Sequence, residues 1–332
     1  MAAGRFPAAG AVAVAESNTA EPTRSHPATL PKGADSMTKT WLITGSSRGL
    51  GRALSQEVLD RGDNLLATAR QPEQLDDFVS RYGDQVRPYA LDVTDPVAAQ
   101  AAVRAAVETF GGLDVVANNA GYANSAPIEE TPEEDFRAQV EANLFGVVNV
   151  TRAALPVLRA RRSGHFLQFS SIGGRVGGTP GLGAYQAAKF AVEGFSEVLY
   201  NEVKPFGIRV TIIEPGAFRT DWGGASMRMA EVGEDYQQTV GRLHALRRDM
   251  DGQQAGDPER AARVIADLVG LAVPPLRLLL GSDALRMAEE SARSRSREAT
   301  AWADVSRSTD YDSSTDFAKT PVAAMLAPRS PN

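Results

Sequence analysis

The sequence predicts an α/β fold, a doubly wound parallel sheet with helices on both faces, on three observations. Strand-like and helix-like segments alternate along residues 40–121, an order that implies parallel crossovers with helices on both sides of one sheet. The strand segments are short apolar runs that end at glycine, as in TWLITG at 40–45 and LDVVANNAG at 113–121. Thirty glycines beside 43% hydrophobic residues suit many tight turns, and 332 residues provide a core of useful size.

Each element can be justified in order. TWLITG is the first strand, and GLGRALSQEVLDRG at 49–62 has helical spacing. NLLATAR at 64–70 is the second strand, followed by a polar helix over about 72–81. QVRPYALDV is the third strand, ending near Asp92, and PVAAQAAVRAAVETFG is a helix with proline in its first turn. LDVVANNAG is the fourth strand. A long helix spans about 133–160 with an interruption near Pro156, and HFLQFSS is the fifth strand. A helix over 183–204 leads to GIRVTIIEPG, the sixth strand, after which residues 216–256 lack strand periodicity. ERAARVIADLVGLA is a helix and LRLLLG at 276–281 the last core strand. The expected organisation is a disordered extension over 1–37, one domain over 38–294 that includes a substrate loop at 216–256, and a flexible or loosely docked tail over 295–332. Met37, just before the first strand, is an alternative translation start.

Composition excludes several functions. A net charge of -6 without a long basic patch gives nucleic acid little to bind. The absence of cysteine removes disulfides, zinc-thiolate sites and a thiol nucleophile, and His26, His165 and His244 are too scattered for a metal site, so no metal is expected. No apolar run reaches 18 residues, so no membrane span is expected. AAGAVAVA imitates the core of an export signal, but it is short, poorly bounded and preceded by one arginine; the expected location is cytoplasmic.

TGSSRGLG at 44–51 places Gly45, Gly49 and Gly51 between a strand and a helix, where backbone N–H groups can approach a pyrophosphate. A plain strand-to-helix connection is the alternative reading of that turn alone. The spacing differs from the P-loop pattern, which disfavours ATP cradling. With NNAG at 118–121, Asn143, the serines Ser170 and Ser171, YQAAK at 185–189 and PGAFRT at 215–220, the sequence resembles the short-chain dehydrogenase/reductase family over residues 38–285. The resemblance implies a Rossmann-like domain that binds a nicotinamide cofactor through Gly45, Ser47, Arg48, Gly49, Leu50 and Gly51. It also implies that Asp92 bonds the adenine side, that Asn118, Ala120 and Gly121 line the adenosine turn, and that Ile213, Pro215 and Gly216 face the nicotinamide amide. Asn118 has a structural role as its alternative, and Thr220 either bonds the cofactor or caps the next segment. At the end of the second strand the chain has Ala69 and Arg70 where a ribose-binding carboxylate would favour NAD, and Arg48 lies in the loop. Both arginines suit a 2′-phosphate, so NADP is preferred over NAD unless Arg70 simply faces solvent.

Tyr185 and Lys189 lie one turn apart on one helical face, a pairing that surface helices also show. In carbonyl reduction the oxygen gains negative charge as hydride reaches carbon, and a phenol can stabilise it and supply the proton. An ordinary tyrosine at about 10 is a poor base at neutral pH, so Lys189 is expected to draw the Tyr185 phenol down. The resemblance further implies that Lys189 and Tyr185 touch the nicotinamide ribose, that Ser171 holds the substrate oxygen, and that Asn143 steadies a water linked to Lys189; taken alone, Asn143 reads instead as a helix irregularity or a satisfied buried amide. Ser171 stands fourteen positions before Tyr185, one more than the family spacing, and the glycine-rich GGRVGGTPGLG can absorb the extra residue. Strand alternation turns Ser170 to the opposite face.

Phe218, Trp222, Met227, Met229, Gly173, Val176 and Tyr122 are the expected pocket lining for a small-molecule carbonyl or alcohol substrate, with ordinary packing as the alternative. The expected function is an NADP(H)-dependent oxidoreductase interconverting a ketone or aldehyde and its alcohol, Tyr185 serving as acid/base. The alternative is a catalytically weak NADP(H)-binding regulatory or scaffold protein, against which the set Asn143, Ser171, Tyr185 and Lys189 argues. A homo-oligomer is expected, since relatives commonly pair helices resembling 133–160 and 183–204; Ala187, Ala188 and Ala191 permit close approach, as they would within one chain.

Overall fold

Every residue of TWLIT is buried, because this strand, β1 (Thr40–Thr44), runs through the middle of the sheet. A computed structural model describes residues 38–223, 227–311 and 316–326. The expected 1–37 extension, with Met37, and parts of the 295–332 tail lie outside the described residues. After β1 come α1 (Gly49–Asp60), β2 (Asn64–Ala69), α2 (Asp76–Tyr82), β3 (Val86–Ala90), α3 (Pro96–Phe110) and β4 (Val115–Asn118). Then follow β5 (Asn124–Ser125), α4 (Glu133–Val140), α5 (Gly146–Arg161), β6 (Gly164–Phe169), α6 (Ile172–Arg175), α7 (Gly183–Val203) and β7 (Ile208–Pro215). The last elements that bear on the site are β8 (Arg228–Met229), α8 (Arg242–Asp249), α9 (Pro258–Val269), β9 (Arg277–Leu280) and α10 (Ser282–Ala301).

Seven strands form one parallel sheet in the order β3-β2-β1-β4-β6-β7-β9, and β5 pairs with β8 in a separate short ladder. Chain direction across the sheet reverses between β1 and β4, which opens a crevice beyond their carboxyl ends. Alternation along β1 divides the core. Trp41 and Ile43 pack with Leu54, Val58 and Ile265 beneath α1 and α9, whereas Leu42 packs with Val103, Val150 and Leu158 beneath α3 and α5. Burying each such side chain stabilises the fold by about 1.5–3 kcal/mol. The sequence supplies the helix ends: Asp95 accepts from the Val97 and Ala98 amides ahead of Pro96, and Gly111 ends α3 in the left-handed region.

Two expectations are corrected. The long helix passes through exposed Pro156 without a break, and its irregularity lies upstream, where Glu141–Phe145 form a single π turn between α4 and α5. Proline removes one backbone donor on a solvent face, which neighbouring turns tolerate; the π turn has Asn143 at its centre. The domain boundary placed at 294 falls inside α10, which runs to Ala301 and docks through Ala284 and Ala288 against Ile172.

Candidate active site

Beyond β1 the chain turns through Gly45 at φ 71° and Gly49 at φ 57°, left-handed conformations that a side chain strains. Gly51 is glycine for another reason: a Cβ there would collide with the Gly45 carbonyl and with Nδ2 of Asn119. Asn119 fastens the loop, its Nδ2 donating to the carbonyls of Thr44 at 2.9 Å and Gly45 at 3.2 Å. Thr44 Oγ1 in turn accepts from the amides of Asn119 and Ala120. Arg48 is the N-cap of α1 and makes no capping bond with its side chain, so first-turn amides stay available to an anion. These features fit a dinucleotide pyrophosphate. Ser47 and Leu50 are partly exposed on the same loop, and the side chain of Thr220 packs against Gly49.

Arg48 and Arg70 are exposed, and among the described residues neither forms an ion pair. Asp92 Oδ1 accepts from the Thr94 amide at 3.0 Å and hydroxyl at 2.8 Å. The amide bond, outweighing partial burial and aided by the hydroxyl and Arg70, holds the carboxyl below its ordinary range. Asn118 is structural in its contacts: its Nδ2 donates to Thr151 on α5 and Gln168 on β6.

The candidate reactive residues converge past the ends of β4 and β6. Asn143 is fully buried, and its Nδ2 donates to the carbonyls of Gln139 at 2.8 Å and Tyr122 at 2.7 Å. The side chain thus takes a carbonyl one turn back, which helps satisfy the widened turn. Its Oδ1 has no protein partner and, with Lys189 Nζ, borders Gly121. Lys189 Nζ donates to the Phe169 carbonyl at 2.7 Å and lies 5.7 Å from the Tyr185 ring centroid. Ser171 caps α6, accepting from the Gly173 amide at 3.0 Å, and its hydroxyl lies beside that of Tyr185. Ser170 turns inward to the Lys189 carbonyl. The loop between Ser171 and Tyr185 uses Gly178 at φ 89° and Gly181 at φ 81°, and buried Gln186 ties it down by bonding Thr179 and Val176.

Burial sets the charge states here. It pushes the Tyr185 phenol up to about 12, against a smaller pull from Ser171, and brings the Lys189 ammonium down to about 8, against the negative charge of Glu193. The expectation that Lys189 draws the phenol down is therefore corrected for the chain alone: removing water penalises the phenolate more than the neighbours favour it.

The family model for short chain dehydrogenases matches residues 39–231. Oxidoreductase BOA17 of Botryotinia fuckeliana is 51% identical over 271 residues, 81% of this chain and 98% of its own length. The chain belongs to the short-chain dehydrogenase/reductase family. A short-chain dehydrogenase from Streptomyces avermitilis superposes with a TM-score of 0.78 at 40% identity, covering 83% of this chain and 100% of that one. An alcohol dehydrogenase from Thermococcus sibiricus complexed with 5-hydroxy-NADP superposes at 0.60 with 27% identity, covering 74% and 96%. The protein is an NAD(P)-dependent oxidoreductase of this family.

Around Tyr185 of this short-chain dehydrogenase/reductase, the Trp222 ring packs 5.3 Å from the tyrosine ring, and Met227 and Met229 join Tyr185, Leu182 and Ala123. Phe218 and Val176 do not line this space. Phe218 packs against the core beneath α1 and α9, and Val176 against Ile172 and α10. Ile213 is likewise buried in the core, and Gly216 abuts Asp283, whose carboxylate accepts from the Ala217 amide at 2.7 Å. Thr220 Oγ1 accepts from the Trp222 amide at 3.4 Å, the capping arrangement. Residues 227–249 form a cap fastened to one neighbourhood: β8 pairs with β5, Glu130 accepts from the Gly233 amide, and His244 and Arg247 both bond buried Ser125.

Behind Lys189 lies a charge cluster that motif reading missed, because its members come from four distant segments. Glu214 on β7 is fully buried between Arg175 of α6 and Arg277 of β9, each at 3.2 Å. Arg277 also holds Glu193 at 3.1 Å and pairs with Glu197 on α7. Burial pushes the Glu214 carboxyl up to about 6, Glu193 adding to it and the arginines opposing. A carboxyl raised above its ordinary 4.5 keeps its proton in the folded chain where the unfolded chain has lost it. Its contribution to stability is therefore full below that value and falls as pH rises to about 6. In urea unfolding, the stability of Glu214→Gln relative to wild type is expected to rise across that window. A flat difference would mean that this carboxyl titrates the same way folded and unfolded.

Proposed function

We propose that this enzyme interconverts a ketone or aldehyde and its alcohol with NADP(H), Tyr185 acting as acid and base. The observation that carries the reading is the convergence of three groups: buried Tyr185, Ser171 beside its hydroxyl, and Lys189, whose Nζ lies 5.7 Å from the Tyr185 ring centroid. The bound cofactor supplies or accepts the hydride. Gly45, Ser47, Gly49, Leu50 and Gly51 would hold its pyrophosphate, Asp92 its adenine side, and Pro215, Gly216 and Thr220 its nicotinamide half. Ser171 orients the carbonyl oxygen, and Tyr185 donates its proton there as negative charge develops. A phenol at about 12 is fully protonated at neutral pH, which suits reduction. Lys189 opposes the charge left on Tyr185, and the unpartnered Asn143 Oδ1 offers an acceptor on the route by which that proton is replaced. Trp222, Met227 and Met229 favour an apolar body on the substrate.

Exposed Arg48 and Arg70, with Ala69 where a carboxylate would repel a 2′-phosphate, support NADP over NAD. Arg70→Ala is expected to raise the KM for NADPH by about tenfold or more, the size of a lost charge-assisted hydrogen bond, and to leave the KM for NADH unchanged. Equal effects on both cofactors would remove Arg70 from the phosphate site. The reading as a whole is tested by NADPH oxidation with a panel of ketones and aldehydes; cofactor binding without turnover on any of them would count against it.

A further inference from the structure

Glu193 stands one helical turn beyond Lys189, as Tyr185 stands one turn before it, so the three share a face of α7. It is buried, one carboxylate oxygen takes Arg277 at 3.1 Å, and the other has no hydrogen-bond partner. No ion pair within 4.0 Å joins it to Lys189, whose Nζ reaches the other way to the Phe169 carbonyl. The influence of Glu193 on the ammonium is therefore through space, in a dry interior where screening is weak.

The groups facing Glu193 are Lys189 and Glu197 on its own helix, Glu214 on β7 and Arg277 on β9, with Arg175 on α6 behind Glu214. With three carboxylates against two guanidiniums, the ionised cluster carries excess negative charge on the inner side of Lys189. Burial alone drives Lys189 toward the neutral amine, and Glu193 opposes it. The same chain of charges ends through Arg175 on α6, the short helix that Ser171 caps.

We propose that Glu193 is a positioning residue for the reaction: anchored by Arg277, its carboxylate keeps Lys189 in the ammonium form that the Tyr185 chemistry requires. This rests on the role of Lys189 proposed above, and its test is independent of turnover. The chain has five lysines, so the side-chain carbon signals of lysine-labelled apoprotein can be followed by NMR across pH, with Lys189 assigned by its loss in Lys189→Arg. The wild-type midpoint is expected at about 8. Glu193→Gln is expected to lower it by about one pH unit, and Glu193→Asp, which keeps the charge, to restore most of the difference. The alkaline limb of the pH profile for kcat/KM is expected to move in the same direction.

Glu193→Met, which keeps the volume without a polar atom to satisfy, carries the same measurement if Glu193→Gln does not fold. An unchanged Lys189 midpoint in the uncharged variant overturns the proposal, as does an Asp variant that falls as far as the Gln variant. Because the NMR midpoint needs neither cofactor nor substrate, it can fail while Tyr185 proves catalytic, and the reverse.

Discussion

Tyr185→Phe is expected to lower kcat/KM for carbonyl reduction by about 10³-fold, the usual size of a lost general acid, while NADPH still binds. That loss corresponds to about 4 kcal/mol of transition-state stabilisation. The substitution is a clean one in this setting. Phenylalanine keeps the ring that packs on Trp222, Leu182 and Met227, so the pocket wall stays in place. Only the hydroxyl disappears, and neighbouring Ser171 retains the Gly173 amide as a donor. Steady-state kinetics with NADPH and a reducible carbonyl, beside NADPH fluorescence titration of the same protein, separates the two effects. Comparable turnover by the variant would exclude Tyr185 as the proton donor; loss of NADPH binding together with turnover would assign it a structural part instead.

The second large effect is expected at Gly51. An alanine Cβ there would enter the space of the Gly45 carbonyl and of Asn119 Nδ2. Neither can yield cheaply, since the carbonyl belongs to a turn in a left-handed conformation and Asn119 holds that turn with two hydrogen bonds. Overpacking of this kind costs about 1–3 kcal/mol, and it acts on the amides proposed to hold the pyrophosphate. Gly51→Ala is therefore expected to weaken NADPH about tenfold or more and to lower the melting temperature of the apoprotein. Wild-type affinity in calorimetric titration would show that the loop moves aside without cost. Gly62, which has open space around its Cβ position and φ 86°, provides the contrast: alanine there meets backbone strain but no collision, and lies away from the cradle.

The seven sheet strands were legible along the chain because most are short apolar runs closed by a turn residue, and β1, buried on both faces, is the plainest of them. The glycine loop was legible for a related reason, since left-handed backbone leaves a mark in composition. At Asn143 a helix irregularity was one open reading, but its form as a π turn was not legible: the Asn143 side chain there reaches the carbonyls of Gln139 and Tyr122, and no local pattern encodes that reach. Proline at 156 carried a strong local signal in the wrong place, because its missing donor falls on an exposed helix face. Phe218 and Val176 were misassigned since an aromatic or branched side chain near a pocket reads alike whether it faces the pocket or the core. The direction of the Tyr185 shift could not be read from spacing either. Adjacent charge is visible in i and i+4, whereas the removal of water is a property of the assembled fold. Asn119 and Gln186 stand inside motifs that were recognised, yet their work is done by bonds to loops far along the chain or across a turn.

The fastening of residues 227–249 has a consequence for engineering. Among the described residues their polar ties run to Ser125, Glu129, Glu130 and Asp135, and none runs to the glycine turn at 45–51. On the proposal that this module shapes the substrate space, selectivity for the reacting molecule and choice of coenzyme are mechanically separable. A graft exchanging this module together with its landing strip at 123–135 could retarget the catalyst and leave its redox partner unaltered.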